Sequence, residues 1–385
     1  MSIWHQTEYI SKKSPRRAAI GNVSGETVSF TSYEKLMRDA LAAAALIAES
    51  GEEHPVAVGL GAYYTAVFVL AASRLGISLT LSASGEKGVM LCGSLVSPSE
   101  LPSRLAGILS ASDEPSLPPK VRPAFFTLSD GTSYSEEAVI FSARAFSDAL
   151  PLLRPDRLLY LFPEHSAEGL FCGIIAPLLK GAASVYCPER RSLLKFMKLT
   201  SPTRLFSGEL EARALLLKLL RIKKLHLDQS KNAESERSLR LMTDPTLIAV
   251  KRLIRPKILY SLGGRLKTVA VRGELSQKRM RCFFSFGIYA LAVGSERGLC
   301  PSLFHFGGDG RGVWRLPAFC RADICRAEKG GIGRIIIFSP AIREGESIDG
   351  TYVPLEKHSD GDETALVTTV SGYILKDGSV FKVDR

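Results

Sequence analysis

The residues with the most chemistry to offer lie in three short polar clusters and one basic stretch. Ser129, Asp130, Gly131, Thr132 and Ser133 form a turn rich in hydroxyls, between the apolar run FFTL (125–128) and a helix-forming run (136–150). The N–H groups and hydroxyls of such a turn suit a phosphate; the same turn also serves as a plain polar link between strand and helix. His165 follows RLLYLF (157–162) and precedes GLFCGIIAPLLKG (169–181), a position either facing a pocket or purely structural. Ser295 and Glu296 place a hydroxyl beside a carboxylate, hard oxygen donors of the kind magnesium takes. Ten basic residues fall within 251–281, where Glu274 is the only acid. That stretch reads as a solvated helical face or as a contact for an anionic surface. No aromatic platform or nucleic-acid motif accompanies it, so nucleic acid is not an expected partner.

The elements that must position these residues follow from the pattern of apolar runs. Thr31 and Glu34 form a capping box ahead of LMRDALAAAALIAESG, a helix that stops at Gly51. VAVGL (56–60) reads as a buried strand, YYTAVFVLAASRLG as a helix ending at Gly76, and ISLTL (77–81) as the next strand. That alternation predicts a parallel sheet covered by helices. After a Pro-rich connector (112–123) a second unit repeats it, with strands at 125–128, 157–162 and 182–187 and a further strand at 267–271. Beyond Gly294, Gly-rich turns separate short β segments. The expected architecture is α/β: two stacked parallel-sheet subdomains (1–122 and 123–298) covered by helices, plus a smaller β-rich subdomain (299–385).

Composition sets the outer limits. The chain has 385 residues, 45% hydrophobic and 23% charged, with a formal net charge of +11. That is a globular composition with enough length for two or three cores. The longest apolar stretch, 65–81, is interrupted by Ser73, Arg74, Gly76 and Ser78, too often to span a bilayer. The N-terminus lacks the apolar core of a signal peptide. A cytoplasmic protein is expected, with 251–281 as its one candidate contact for an anionic membrane surface. Seven scattered cysteines do not make a disulfide framework, and Cys320 and Cys325 do not have a zinc spacing.

The order of these pieces resembles the adenylate-forming (AMP-binding) superfamily of acyl-CoA synthetases, luciferases and nonribosomal-peptide adenylation domains. The resemblance rests on many weak matches in sequence order. SFTSYEKL leads into a long helix; Pro163, Glu164 and His165 match a Pro-x-His segment; SPTRLFSG (201–208) matches a Pro-Thr helix start. The basic stretch leading to LGGRLKTVAV, and the final DGSVFKVDR, are similar to the long-chain acyl-CoA synthetase branch.

The resemblance implies ATP and magnesium as cofactors and a fatty acyl substrate, activated as an acyl-adenylate. It implies a phosphate site at Ser129, Gly131, Thr132 and Ser133, with Glu137 where the family has its lysine. It places His165 at the acyl pocket, Gly273 at the adenine, Ser295 at the phosphates, Glu296 on magnesium and Arg385 at the ribose. Val370 stands where the family has a ribose-binding aspartate, and valine accepts no hydrogen bond. The family's small C-terminal domain, which carries its catalytic lysine, does not follow Arg385 in this sequence. Two expectations follow: a catalytically impaired homologue that binds an acyl chain or a partner, or a ligase whose C-terminal domain or acyl-carrier protein is a separate chain.

Overall fold

The computed structural model describes residues 1–111, 117, 122–233, 259–260, 262–273, 275–296, 299–305, 313–325, 332–342, 344–348, 351–354, 358–360 and 363–382. Two sheets organise the chain. The larger has 14 strands among the described residues. Its centre is parallel, in the spatial order Ala18–Ser24, Ala183–Tyr186, Arg157–Tyr160, Arg204–Gly208, Thr268–Arg272 and Tyr289–Glu296. Antiparallel strands from the last third of the chain extend it beyond Tyr289–Glu296. The smaller sheet has a parallel centre of Val56–Val58, Ser78–Ser82 and Phe125–Thr127.

The α/β class and the parallel sheets agree with the sequence reading. The expected boundaries at 122 and 298 do not coincide with the sheets. The hairpin Ala18–Ser24/Thr27–Ser32 sits at the edge of the larger sheet, on Ala183–Tyr186. Gly345–Ile348 joins the smaller sheet through Thr132–Ser135. SPTRLFSG is a further correction. It forms no helix start but the central strand Arg204–Gly208, followed by the helix Glu209–Ala233. The two cores cover both faces of this strand, with Phe206 on one side and Leu205 on the other. Arg204, also buried, is compensated by Asp156, which accepts from its guanidinium at 3.2 Å.

Local sequence explains the helices that cover the sheets. Tyr33–Ser50 starts one residue later than the capping box predicts: the Ser32 hydroxyl, not Thr31, accepts from Lys35 N–H. It ends at Gly51 in the left-handed region (φ +71°), which glycine adopts without a Cβ penalty. Tyr33 is fully buried and donates to the Ala182 carbonyl at 2.9 Å, tying the helix start to the larger sheet.

One apolar core joins a face of the larger sheet (Tyr160, Phe206, Leu291) to the helices and the smaller sheet (Leu79, Phe126). A second core covers the opposite face, where Leu205, Val269 and Val271 meet Leu215, Leu219, Met280 and Phe283 of the outer helices. Among the described residues no helix is long and apolar enough to cross a membrane.

Candidate functional site

In a parallel sheet with helices on both faces, ligands gather beyond the C-terminal strand ends. At that edge lie Tyr160, Tyr186, Gly208 and Arg272. The segment after Arg157–Tyr160 turns through Pro163, Glu164 and His165 into a π-helix, Glu168–Ile175. Two glycines allow the close fit. A Cβ on Gly169 would stand 1.9 Å from the Pro163 carbonyl oxygen, and one on Gly173 would stand 2.3 Å from the Tyr160 ring. π-Helical turns of this kind recur at functional sites.

Each acid of this segment has a partner. Glu164 is buried and accepts from the Gly61 N–H at 3.0 Å, at the N-terminal turn of the helix Gly61–Leu75. Glu168 is buried and pairs with Arg272 Nε at 2.7 Å, while half of the Arg272 side chain stays exposed. The Arg272 guanidinium also lies 5.8 Å from the Phe162 ring centroid. Among the described residues, the Tyr160 hydroxyl has no hydrogen-bond partner. Burial, with Glu164 and Tyr186 adding to it, raises its pKa well above that of an ordinary phenol.

His165 lies at this edge, in the segment between the strand and the π-helix. Its backbone carbonyl accepts from both the N–H and the hydroxyl of Ser129, each at 3.2 Å. Its Nδ1 is buried without a hydrogen bond among the described residues. The structure therefore brings together the turn, the Pro-x-His segment and the end of Thr268–Arg272. Gly273 lies at that end with φ +97°, and its N–H donates to the Val293 carbonyl at 2.9 Å.

The turn itself differs from an open phosphate loop. Thr132–Ser135 pairs antiparallel with Phe125–Thr127, making a tight hairpin. Leu128 N–H donates to Thr132 O (2.8 Å), Gly131 N–H to Leu128 O (2.9 Å) and Thr132 N–H to Asp130 Oδ1 (3.0 Å). With Ser129 N–H on His165, these four donors are already used. The hydroxyls are committed as well: Thr132 Oγ1 donates to Asp130 at 2.6 Å, and Ser133 Oγ shares a hydrogen bond with Thr127 at 2.8 Å. Thr132 and Ser133 are buried. A phosphate about 5 Å from the Asp130 carboxylate would meet roughly 3 kcal/mol of repulsion per charge pair. These residues do not fit a triphosphate.

Glu137 also moves relative to expectation. It lies in the first turn of the helix Glu136–Ala149, beyond the hairpin and outside the turn. Glu136 beside it points inward. It accepts from Ile3 N–H at 2.8 Å and from the Ser73 hydroxyl.

Ser295 and Glu296 end the strand Tyr289–Glu296, and their side chains are outside the described residues. Arg385 and Glu274 also lie outside them, as does the side chain of Val370. Of the basic stretch, 251–258 lies outside them. Arg272 and Arg279 each pair with an acid of the chain, Glu168 and Glu209. Sequence reasoning missed Glu164, Glu168 and Arg272 as a set. The available signal was two acids entering an otherwise apolar helix, since a buried carboxylate requires a cation or donors.

No protein-family model matches the chain, and no curated protein sequence is similar to it. Solved structures do match. A complex of VinN with L-aspartate is 14% identical, with a TM-score of 0.73 over 100% of this chain and 98% of that one. The N-terminal domain of FACL13 from Mycobacterium tuberculosis is 14% identical, with a TM-score of 0.65 and full coverage of both chains. A double mutant of o-succinylbenzoate CoA synthetase (MenE) from Bacillus subtilis, bound to a product analogue, is 14% identical, with a TM-score of 0.66 over 78% of its length. The chain therefore has the fold of the large N-terminal domain of adenylate-forming enzymes.

Proposed function

We propose that this chain is a catalytically impaired relative of the adenylate-forming enzymes that keeps the scaffold to bind an acyl group or a partner. The observation that carries this reading is the hairpin turn at 128–132, whose donors are spent on Thr132, Leu128, Asp130 and His165. Adenylation requires preorganised donors and cations around a phosphate that gains charge. Here the same atoms hold the turn to itself and to the Pro-x-His segment. Arg272, paired with Glu168 yet half exposed, remains available at the strand ends to an anionic group.

Carboxylate-dependent exchange of pyrophosphate into ATP tests this directly. The purified chain is expected to give none across a series of fatty acids. Robust exchange with any one acid would overturn the reading in favour of a ligase that completes its site with a separate C-terminal domain.

A further inference from the structure

Two outer helices, Glu209–Ala233 and Gln277–Ser285, lie on the same face of the larger sheet. Their inner residues, Leu215 and Leu219 on one and Met280 and Phe283 on the other, share one core. Arg279 of the second bonds Glu209 of the first. Their outward faces therefore look the same way.

Those faces carry large exposed apolar side chains: Leu210 is 71% exposed, Leu217 50% and Phe284 73%. Leu210 and Leu217 stand two turns apart on one line of the helix. Arg213 and Lys218 flank that line, and Arg221 continues it. Lys278 and Arg281 are exposed on the neighbouring helix. Among the described residues of the two helices, no free acid offsets them. Glu209 is held by Arg279, and Glu211 is buried against Arg190 at 3.1 Å. The sequence from 212 to 222 contains no acid, nor does 277–285.

We infer that this two-helix face docks on an anionic lipid bilayer, with Leu210, Leu217 and Phe284 entering the headgroup boundary and the five cations meeting lipid phosphates. Exposed leucine and phenylalanine between long basic side chains is the arrangement that partitions into an anionic interface. The apolar tips lose water while the cations reach outward on flexible stems. Isolated exposed apolar residues need no explanation, but apolar residues grouped with cations, as among the described residues of this face, mark a contact surface. Among the described residues, the basic stretch 251–281 singled out in the sequence overlaps this face through the second helix. The apolar half of the surface, on Glu209–Ala233, lies outside that stretch.

Sedimentation of the full chain with vesicles tests the proposal. The chain is expected to bind vesicles of phosphatidylcholine with phosphatidylglycerol at low salt, to ignore pure phosphatidylcholine, and to be released at high salt as charges are screened. Leu210→Ser with Leu217→Ser and Phe284→Ser, which keeps every charge, should lower partitioning at least about tenfold. Arg213→Glu with Lys218→Glu and Arg281→Glu should do the same or more. All six positions are exposed, and circular dichroism checks that each variant folds. As an independent readout, brominated lipid should quench Phe284→Trp beyond the quenching of the wild-type tryptophans. Failure of the wild type to bind anionic vesicles at low salt would overturn the proposal. So would wild-type binding by both triple variants, or equal affinity for a soluble polyanion without quenching by brominated lipid.

Discussion

The carbonyl oxygen of His165 accepts two hydrogen bonds from a single residue, the N–H and the hydroxyl of Ser129, each at 3.2 Å. This contact locks the tip of the Phe125–Ser135 hairpin onto the Pro-x-His segment. The groups that would greet a phosphate and those that would border an acyl pocket are therefore bonded to one another.

Nucleotide affinity should reflect that closure. Magnesium–ATP is expected to bind more weakly than millimolar, measured by titration calorimetry. Glu137→Lys should not rescue it, because residue 137 lies on the helix beyond the turn. A dissociation constant in the low micromolar range for the wild type would contradict the closed-turn reading.

Glu136 is 4% exposed and anchors the N-terminal helix Ile3–Lys13 through Ile3 N–H, while Ser73, which donates to it, accepts from Trp4 N–H at 2.9 Å. Glu136→Ala leaves these donors without their carboxylate and should cost about 3 kcal/mol in urea unfolding. Glu136→Gln keeps an acceptor and should cost less. Equal losses for the two variants would argue against the hydrogen-bond account.

The π-helix offers a graded test. Gly169→Ala drives a Cβ against the backbone at Pro163, whereas Gly173→Ala meets only the ring of Tyr160. Backbone gives way less readily than a side chain, so Gly169→Ala should lower the melting temperature more. Both changes should cost on the order of 1–3 kcal/mol or more. The reverse ranking would mean that the Pro163 turn relaxes freely.

Thiol chemistry gives a pH-dependent readout. Burial pushes the Cys187 thiol up to about 12, whereas Cys92 is exposed. Iodoacetamide at mildly alkaline pH should modify Cys92 and spare Cys187 in the folded chain, as read by peptide mass spectrometry. In the unfolded chain the Cys187 thiol ionises near 8.5. Its contribution to stability is thus fully present below about pH 8.5 and is lost as pH rises through the folded value. Replacing Cys187 with Ala should flatten that alkaline loss of stability.

Much of the α/β framework was legible because buried parallel strands read as uninterrupted apolar runs, as at 157–162, 182–187 and 267–271. The strand Arg204–Gly208 escaped because its first residue is a buried arginine, and only the fold supplies Asp156 to neutralise it. The hairpin Ala18–Ser32 escaped for a related reason: its place at a sheet edge depends on Ala183–Tyr186, far along the chain. Around the site, residue types were visible but loop length was not. Counting along the sequence put Glu137 in the turn, whereas hairpin pairing ends the turn several residues earlier. Glu168 and Arg272 are separated by about a hundred residues and meet only because two strand ends are close in space.

Thr351–Pro354 pairs onto Gly345–Ile348, which in turn pairs onto Thr132–Ser135, completing that side of the smaller sheet. On the ribosome, this last pairing must wait for more than two hundred intervening residues. Until then Thr132–Ser135 is an open strand edge, able to recruit a strand from another nascent chain. Slow synthesis of the segment after Ser135 would lengthen that vulnerable interval. The expected consequence of this topology is a need for protection of that edge during translation.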